Sequence, residues 1–284
     1  MKTTLLHEDI AARLPSPQGV AFALNQVCRS DNVNLKEIAS LVRSDPALSG
    51  RLLALANSAA MGGRSVVAID DAIARIGVSG VTQVALAFSL IDQYSKGTCL
   101  NFNYAGFWSQ SLLMAAAVKE FGTTRRLGVA GELFTLGLLS QVGSLAMATA
   151  FPKEYSDLIV SEMDREDLVA QENLVTGTNH LALSQRLMTE WGIPIDTVIP
   201  FCRYEMPNPC SSELTRFQNE RAQLASTAWH VAMAIAQESV EAVLERNECV
   251  ESLDWMGLDI DTLNEILREI ESTWRFWLTL ISRH

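Results

Sequence analysis

Two adjacent polar residues, Ser140 and Gln141, interrupt the apolar run Glu132–Met147, which reads ELFTLGLLSQVGSLAM. Phe134, Leu138 and Leu139, with Leu145 further on, give that run the spacing of a helix buried on most sides. A hydroxyl and an amide inside such a helix need partners, because an unpaired buried polar group costs about 1–3 kcal/mol. Their position makes Ser140 and Gln141 a candidate site. Gly137 and Gly143 flank the pair and lack side chains where neighbouring helices would approach closely. His180 is the second candidate. Of the four histidines (His7, His180, His230, His284), it falls on an apolar helical face with Leu183, Leu187 and Trp191. A hydrogen-bonded core histidine is the favoured reading over a functional group.

Other catalytic templates are missing from the sequence. There is no HExxH, no His-Asp pair, no Walker A loop, no GxSxG elbow and no GxGxxG turn. The five cysteines (Cys28, Cys99, Cys202, Cys210, Cys249) form an odd set without CxxC spacing, the pattern of reduced thiols. No cofactor and no metal is expected.

These residues need elements to position them, and the composition supplies helices. The 284 residues are 48% hydrophobic, with scattered Gly and Pro and no tandem repeat, which predicts an all-α multi-helix bundle. The N-terminus is too polar for a secretory signal, and no stretch of about 18 uninterrupted apolar residues appears, so a cytoplasmic chain without a membrane span is expected. Net charge is −11, with the first hundred residues slightly basic and the acidity all beyond them, which argues against binding a nucleic-acid backbone by bulk charge.

Residues 1–100 read as an N-terminal helical lobe. Pro17 fits the first turn of a helix to about Cys28. Asn32–Asn34 breaks the pattern, and Leu35–Val42 forms the next helix. Asp45 caps a helix Pro46–Asn57, with Leu48, Leu52 and Leu55 on one face. Gly62-Gly63 marks a turn. Ile69, Ile73 and Ile76 form a short helix stopped by Gly77, and Ser79 caps one running to about Tyr94. The pair around Ser44-Asp45-Pro46 has the local look of a helix-turn-helix. Its second helix offers Arg51 as its one cation among Ala, Leu and Gly, so core helices are preferred to a DNA reader.

Residues 101–284 read as a second helical bundle after a linker at Cys99–Gly106. It begins with a helix from Phe107-Trp108 to Phe121, followed by the Arg125-Arg126 turn, the central helix that holds Glu132–Met147 and ends near Phe151-Pro152, and a further helix through Tyr155 and Ile159. Glu162–Asp167 reads as a solvated acidic edge. A helix Asn173–Glu190 carries His180, and Gly192-Ile193-Pro194 ends it. Asp196–Tyr204, a loop at Pro207–Ser212, a long helix Glu213–Gln237, Leu253–Leu258 and Asp261–Ile281 follow. Trp274 and Trp277 are expected to dock on the body.

Several of these segments carry a resemblance. Leu14-Pro15, Asp45-Pro46-Ala47-Leu48, Leu53-Ala54-Leu55-Ala56-Asn57-Ser58-Ala59 and Ile69-Asp70-Asp71-Ala72-Ile73 with Gly77 occur in the order found in the HDOD family. These are HD-related output domains of bacterial signalling proteins, and the resemblance covers roughly Leu14–Pro207. Ile76 stands where the family typically has Leu. Gly137-Leu138-Leu139-Ser140-Gln141-Val142-Gly143 resembles the Gly-Leu-Leu-His-Asp-Ile-Gly signature of HD-superfamily metal-dependent phosphohydrolases, with Ser140-Gln141 in place of the metal-binding pair. The resemblance aligns a further metal-ligand position with Gln110, and a later His-His pair with Arg203-Tyr204 after Trp191-Gly192-Ile193-Pro194.

The resemblance therefore implies an N-terminal lobe packed on a degenerate HD-like bundle. It implies a non-catalytic regulatory role through protein–protein contact, with a signalling protein in trans (a kinase, response regulator or cyclic-di-GMP enzyme). It also implies a polar pocket formed by Gln110, Ser140, Gln141, His180, Arg203 and Tyr204, with Arg203 available to an anion. A metal-dependent phosphohydrolase and a DNA-binding regulator are the alternatives.

Overall fold

The structure is a computed structural model that describes residues 14–16, 18–28, 34–57, 64–160, 164–206 and 208–281. The expected roles of Pro17, Asn32, Ser58-Ala59, Gly62-Gly63, Glu162 and Pro207 lie outside these residues, as do His7, His284 and the side chain of Ser79. Every regular element among the described residues is helical. The chain divides into two compact units, one of Ser16–Gln93 and one of Tyr94–His284 with the stretch through Pro15.

The smaller unit holds α1 (Gly19–Cys28), α2 (Leu35–Arg43), α3 (Pro46–Ala56), α4 (Ile69–Ile76) and α5 (Val78–Gln93). Local chemistry sets the starts. Asn34 accepts from the Lys36 backbone N–H to cap α2, and Asp45 accepts from that of Leu48 to cap α3, whose first residue is Pro46. Ile38, Val42, Leu48, Leu52 and Leu55 are buried, as their spacing predicts. Gly77 ends α4 at φ 81°, a region a side chain rarely tolerates. Asn57 pairs with the Val66 backbone in both directions at 2.7 Å, which fixes the return of the chain after α3. Arg51 is 5% exposed. It grips Asp92 through two hydrogen bonds of 2.6 and 2.8 Å and lies over the Phe88 ring. The cation a DNA reader would need is therefore inside the unit.

The larger unit is built around α6 (Tyr104–Thr124), which begins three residues earlier than its hydrophobic pattern because Asn103 caps it. It packs against α7 (Ala130–Leu139), α13 (Arg216–Gln237) and α15 (Ile260–Ile281). Leu112 to Val118 are buried without interruption, so this helix is apolar all round. Each large side chain buried in this way contributes about 1.5–3 kcal/mol. Between these lie α8 (Val142–Ala150), α9 (Pro152–Ile159), α10 (Arg165–Thr176), α11 (His180–Glu190) and α12 (Ile195–Phe201), and α14 (Asn247–Asp254) follows α13. Thr215 and Gln218 form a capping box that starts α13.

Two glycines set helix spacing. A Cβ on Gly137 would lie 2.7 Å from Ala115 Cα, so α7 meets α6 backbone to backbone. A Cβ on Gly143 would collide with the His180 carbonyl oxygen and lie 2.7 Å from the Ser184 nitrogen. The Gly143 N–H instead donates to Ser184 Oγ at 2.8 Å, tying α8 to α11.

Two of the expected helices are each broken into two, and the helix expected at Leu253–Leu258 lies earlier, at Asn247–Asp254. The run Glu132–Met147 is divided between α7 and α8, with the break at Ser140-Gln141. Ser140 Oγ donates to the Gly137 carbonyl at 2.8 Å, a bond that competes with the helical ladder. Gln141 then turns out of helical geometry at φ −97°, ψ 5°. By composition Ala130–Ala150 would pass as a membrane span, but 89% of its apolar window is buried in the protein. The expected helix Asn173–Glu190 is likewise two helices. Gly177, at φ 79°, closes α10, and Asn179 accepts from the Ala182 backbone N–H to open α11. His180 therefore sits at a helix start.

Candidate functional site

His180 joins two carboxylates contributed by different elements. Its backbone N–H and Nδ1 both donate to Glu172 Oε2 on α10, at 3.0 and 2.7 Å. Its Nε2 donates to Glu205 Oε2, beyond α12, at 2.9 Å. Ionised carboxylates only accept, so an imidazole bonded to one on each nitrogen carries both protons. Burial pushes the imidazole toward the neutral form. The hydrogen bonds and charges of Glu172 and Glu205 outweigh that and hold its pKa up at about 9. Arg165 continues the chain, with Nη1 3.2 Å from Glu205 Oε1 and its guanidinium over the Trp229 ring. The four charges Glu172, His180, Glu205 and Arg165 cancel.

A cleft of about 380 Å³ opens beside this chain. Gln110 from α6, Gln141 from the α7–α8 break, and Tyr204, Glu205 and Arg165 line it with Trp229 and Trp274. Tyr204 is buried against Trp229 with ring centroids 4.9 Å apart, and burial raises its hydroxyl pKa. Gln141 is 4% exposed, and its Nε2 is a buried donor without a partner. The Gln110 amide donates to the Met233 sulfur, a weak acceptor. Trp274 donates to Ser109 Oγ at 3.2 Å, while Trp277 is buried against Phe134. One tryptophan of the pair is thus a cleft wall and the other is core.

The fold places the six candidates unequally. Gln110, Gln141 and Tyr204 line the cleft. His180 lies behind Glu205, at 1% exposure. Ser140 points back to Gly137. Arg203 Nε donates to the Pro209 carbonyl at 2.6 Å, holding the following loop, and Arg165 supplies the cation at the cleft. Glu172, Glu205 and Arg165 were not visible as candidates in the sequence. They lie 8, 25 and 15 positions from His180, no motif links them, and the tertiary fold brings them together.

The donor set does not fit a catalytic divalent metal. Such an ion takes imidazole or carboxylate ligands, with one open position for water. Here the corresponding positions offer neutral side chains, and both nitrogens of His180 are bonded to carboxylates. Among the described residues no group of three His, Cys, Asp or Glu is arranged to hold a metal. The thiol of Cys202 is pushed up to about 12 by burial, which keeps it protonated at neutral pH and unsuited to nucleophilic attack.

Known proteins share this architecture. The chain is 32% identical to the MmoQ response regulator of Methylococcus capsulatus strain Bath, covering 87% of this chain and 95% of that one at a TM-score of 0.56. A Shewanella amazonensis SB2B protein provisionally named a phosphohydrolase superposes at a TM-score of 0.73 with 20% identity over 97% of both chains, a likeness of fold. An HDOD domain protein of unknown function from Geobacter sulfurreducens gives 0.65 with 19% identity, covering 98% of this chain and 95% of that one. An uncharacterised Treponema pallidum protein is 22% identical over 223 residues, 75% of this chain, which spans 42% of that relative's length. The family model for the HDOD domain matches residues 14–207, and the chain belongs to the HDOD family.

Proposed function

We propose that this protein is a non-catalytic signal-transduction module of the cytoplasm that regulates through protein–protein contact. One observation carries the reading. The positions that resemble HD metal ligands hold Gln110, Ser140 and Gln141, and the imidazolium of His180 is engaged by Glu172 and Glu205. Those neutral positions supply no ligand set of the kind that holds a metal and activates a water. The similarity to a response regulator points to a signalling partner: a kinase, a response regulator or a cyclic-di-GMP enzyme.

The test pairs metal analysis and phosphoester turnover with capture of partners from native lysate. Expected are sub-stoichiometric Mn, Fe and Zn, no turnover with added metal, and reproducible recovery of one signalling protein. Stoichiometric metal with turnover that Gln141→Ala abolishes would show a phosphohydrolase instead.

A further inference from the structure

The cleft between α6, the α7–α8 break and α13 combines three features that bear on what it would hold. Its lining carries two primary amides with unused capacity. Gln141 Nε2 is buried without an acceptor, and Gln110 donates only to a thioether. The last torsion of glutamine is soft, so an acceptor entering the cleft can collect these donors. A buried donor without a partner is costly, and an occupant that accepts from it removes that cost. Trp229 and Trp274 line the space; the Trp229 ring is already taken up by Arg165 and Tyr204, which leaves the half-buried Trp274 as the stacking surface. Charge is already matched, because Glu205 is shared between His180 and Arg165, and Glu172 completes the balance. An ionic ligand would add uncompensated charge beside that chain, whereas a neutral one leaves the balance intact. The volume of about 380 Å³ lies within the range of small-molecule sites.

We propose that this cleft is a receptor site for an uncharged, flat aromatic ligand bearing a carbonyl, stacked against Trp274 and accepting from Gln141 and Gln110. The regulatory reading names a partner protein, and this site adds a small-molecule input. It stands on the cleft alone and survives if no partner is found.

The experiment uses the full chain with isoquinolinone and benzamide as neutral carbonyl probes. Benzoate is the near-isosteric anion. Binding is followed by tryptophan fluorescence and saturation-transfer NMR. Both neutral probes are expected to saturate one site, with benzoate about tenfold weaker or more because it forfeits the charge balance. Gln141→Leu should weaken the neutral probes about fivefold, while the melting temperature holds or rises because a partnerless donor is gone. Trp274→Leu, at another lining residue, should also weaken them. The assignment is overturned if neither neutral probe binds, if benzoate binds as tightly as benzamide, or if both variants bind like the parent chain. A Gln141→Leu protein that melts lower or fails to fold would show the amide to be a structural group and would overturn it equally.

Discussion

At the residue scale, the buried imidazolium of His180 couples the fold to protons. In the folded chain it stays charged to about pH 9, against an ordinary value of 6.5. A group whose pKa is raised by folding stabilises most fully below its unfolded value. Its contribution is therefore complete below pH 6.5 and is lost as pH rises through about 9. Denaturant titrations at pH 6 and pH 9 should show stability falling across that window in the parent chain. Glu172→Gln removes one of the two charges that hold the proton. It should lower the His180 midpoint, read from the imidazole NMR shift, and cost about 3 kcal/mol as a broken buried pair. An unchanged midpoint would mean that Glu172 does not hold the proton. Ser140→Ala loses a single hydrogen bond to the Gly137 carbonyl and should cost only about 1 kcal/mol in the same assay.

At the element scale, backbone contact between helices leaves the least room for change. Gly143 faces the start of α11 so closely that a methyl group meets the His180 carbonyl, and neither backbone yields easily. Gly143→Ala should therefore cost about 3 kcal/mol and disturb the His180 NMR signal, because α11 must move. By contrast, Asp45→Ala removes one cap from α3 and should cost about 1 kcal/mol. A Gly143→Ala protein as stable as the parent would show that α8 and α11 pack more loosely than the structure has them.

At the scale of the whole molecule, charge decides which partners are reachable. The net charge of −11 opposes a polyanion, and Arg51 is fastened to Asp92 rather than presented to solvent. Fluorescence anisotropy should show no salt-dependent duplex binding at physiological ionic strength. Arg51→Ala should lower stability through the lost ion pair and ring contact. Duplex affinity that disappears in that variant would restore the DNA-binding alternative.

Local chemistry made the helical class legible in the sequence. Asp45-Pro46, Gly77 and the Leu48–Leu52–Leu55 face act over a few residues, so spacing alone reports them. Gly137 and Gly143 were legible as close-approach positions for the same reason. The breaks at Ser140-Gln141 and Gly177–Asn179 were missed because apolar spacing runs through both, and side-chain bonds and a left-handed glycine override it. The site was half legible. Gln110, Gln141, Tyr204 and His180 followed from motif position. Glu172, Glu205 and Arg165 required the tertiary structure, because the pairing of a buried imidazolium with carboxylates on separate elements depends on which helices meet. The sequence by itself determined the helical class and the neutral side chains at Gln110, Ser140 and Gln141. Only the fold decided that Arg203 would hold a loop, that Arg165 would balance Glu205, and that two amides would face an aromatic cleft.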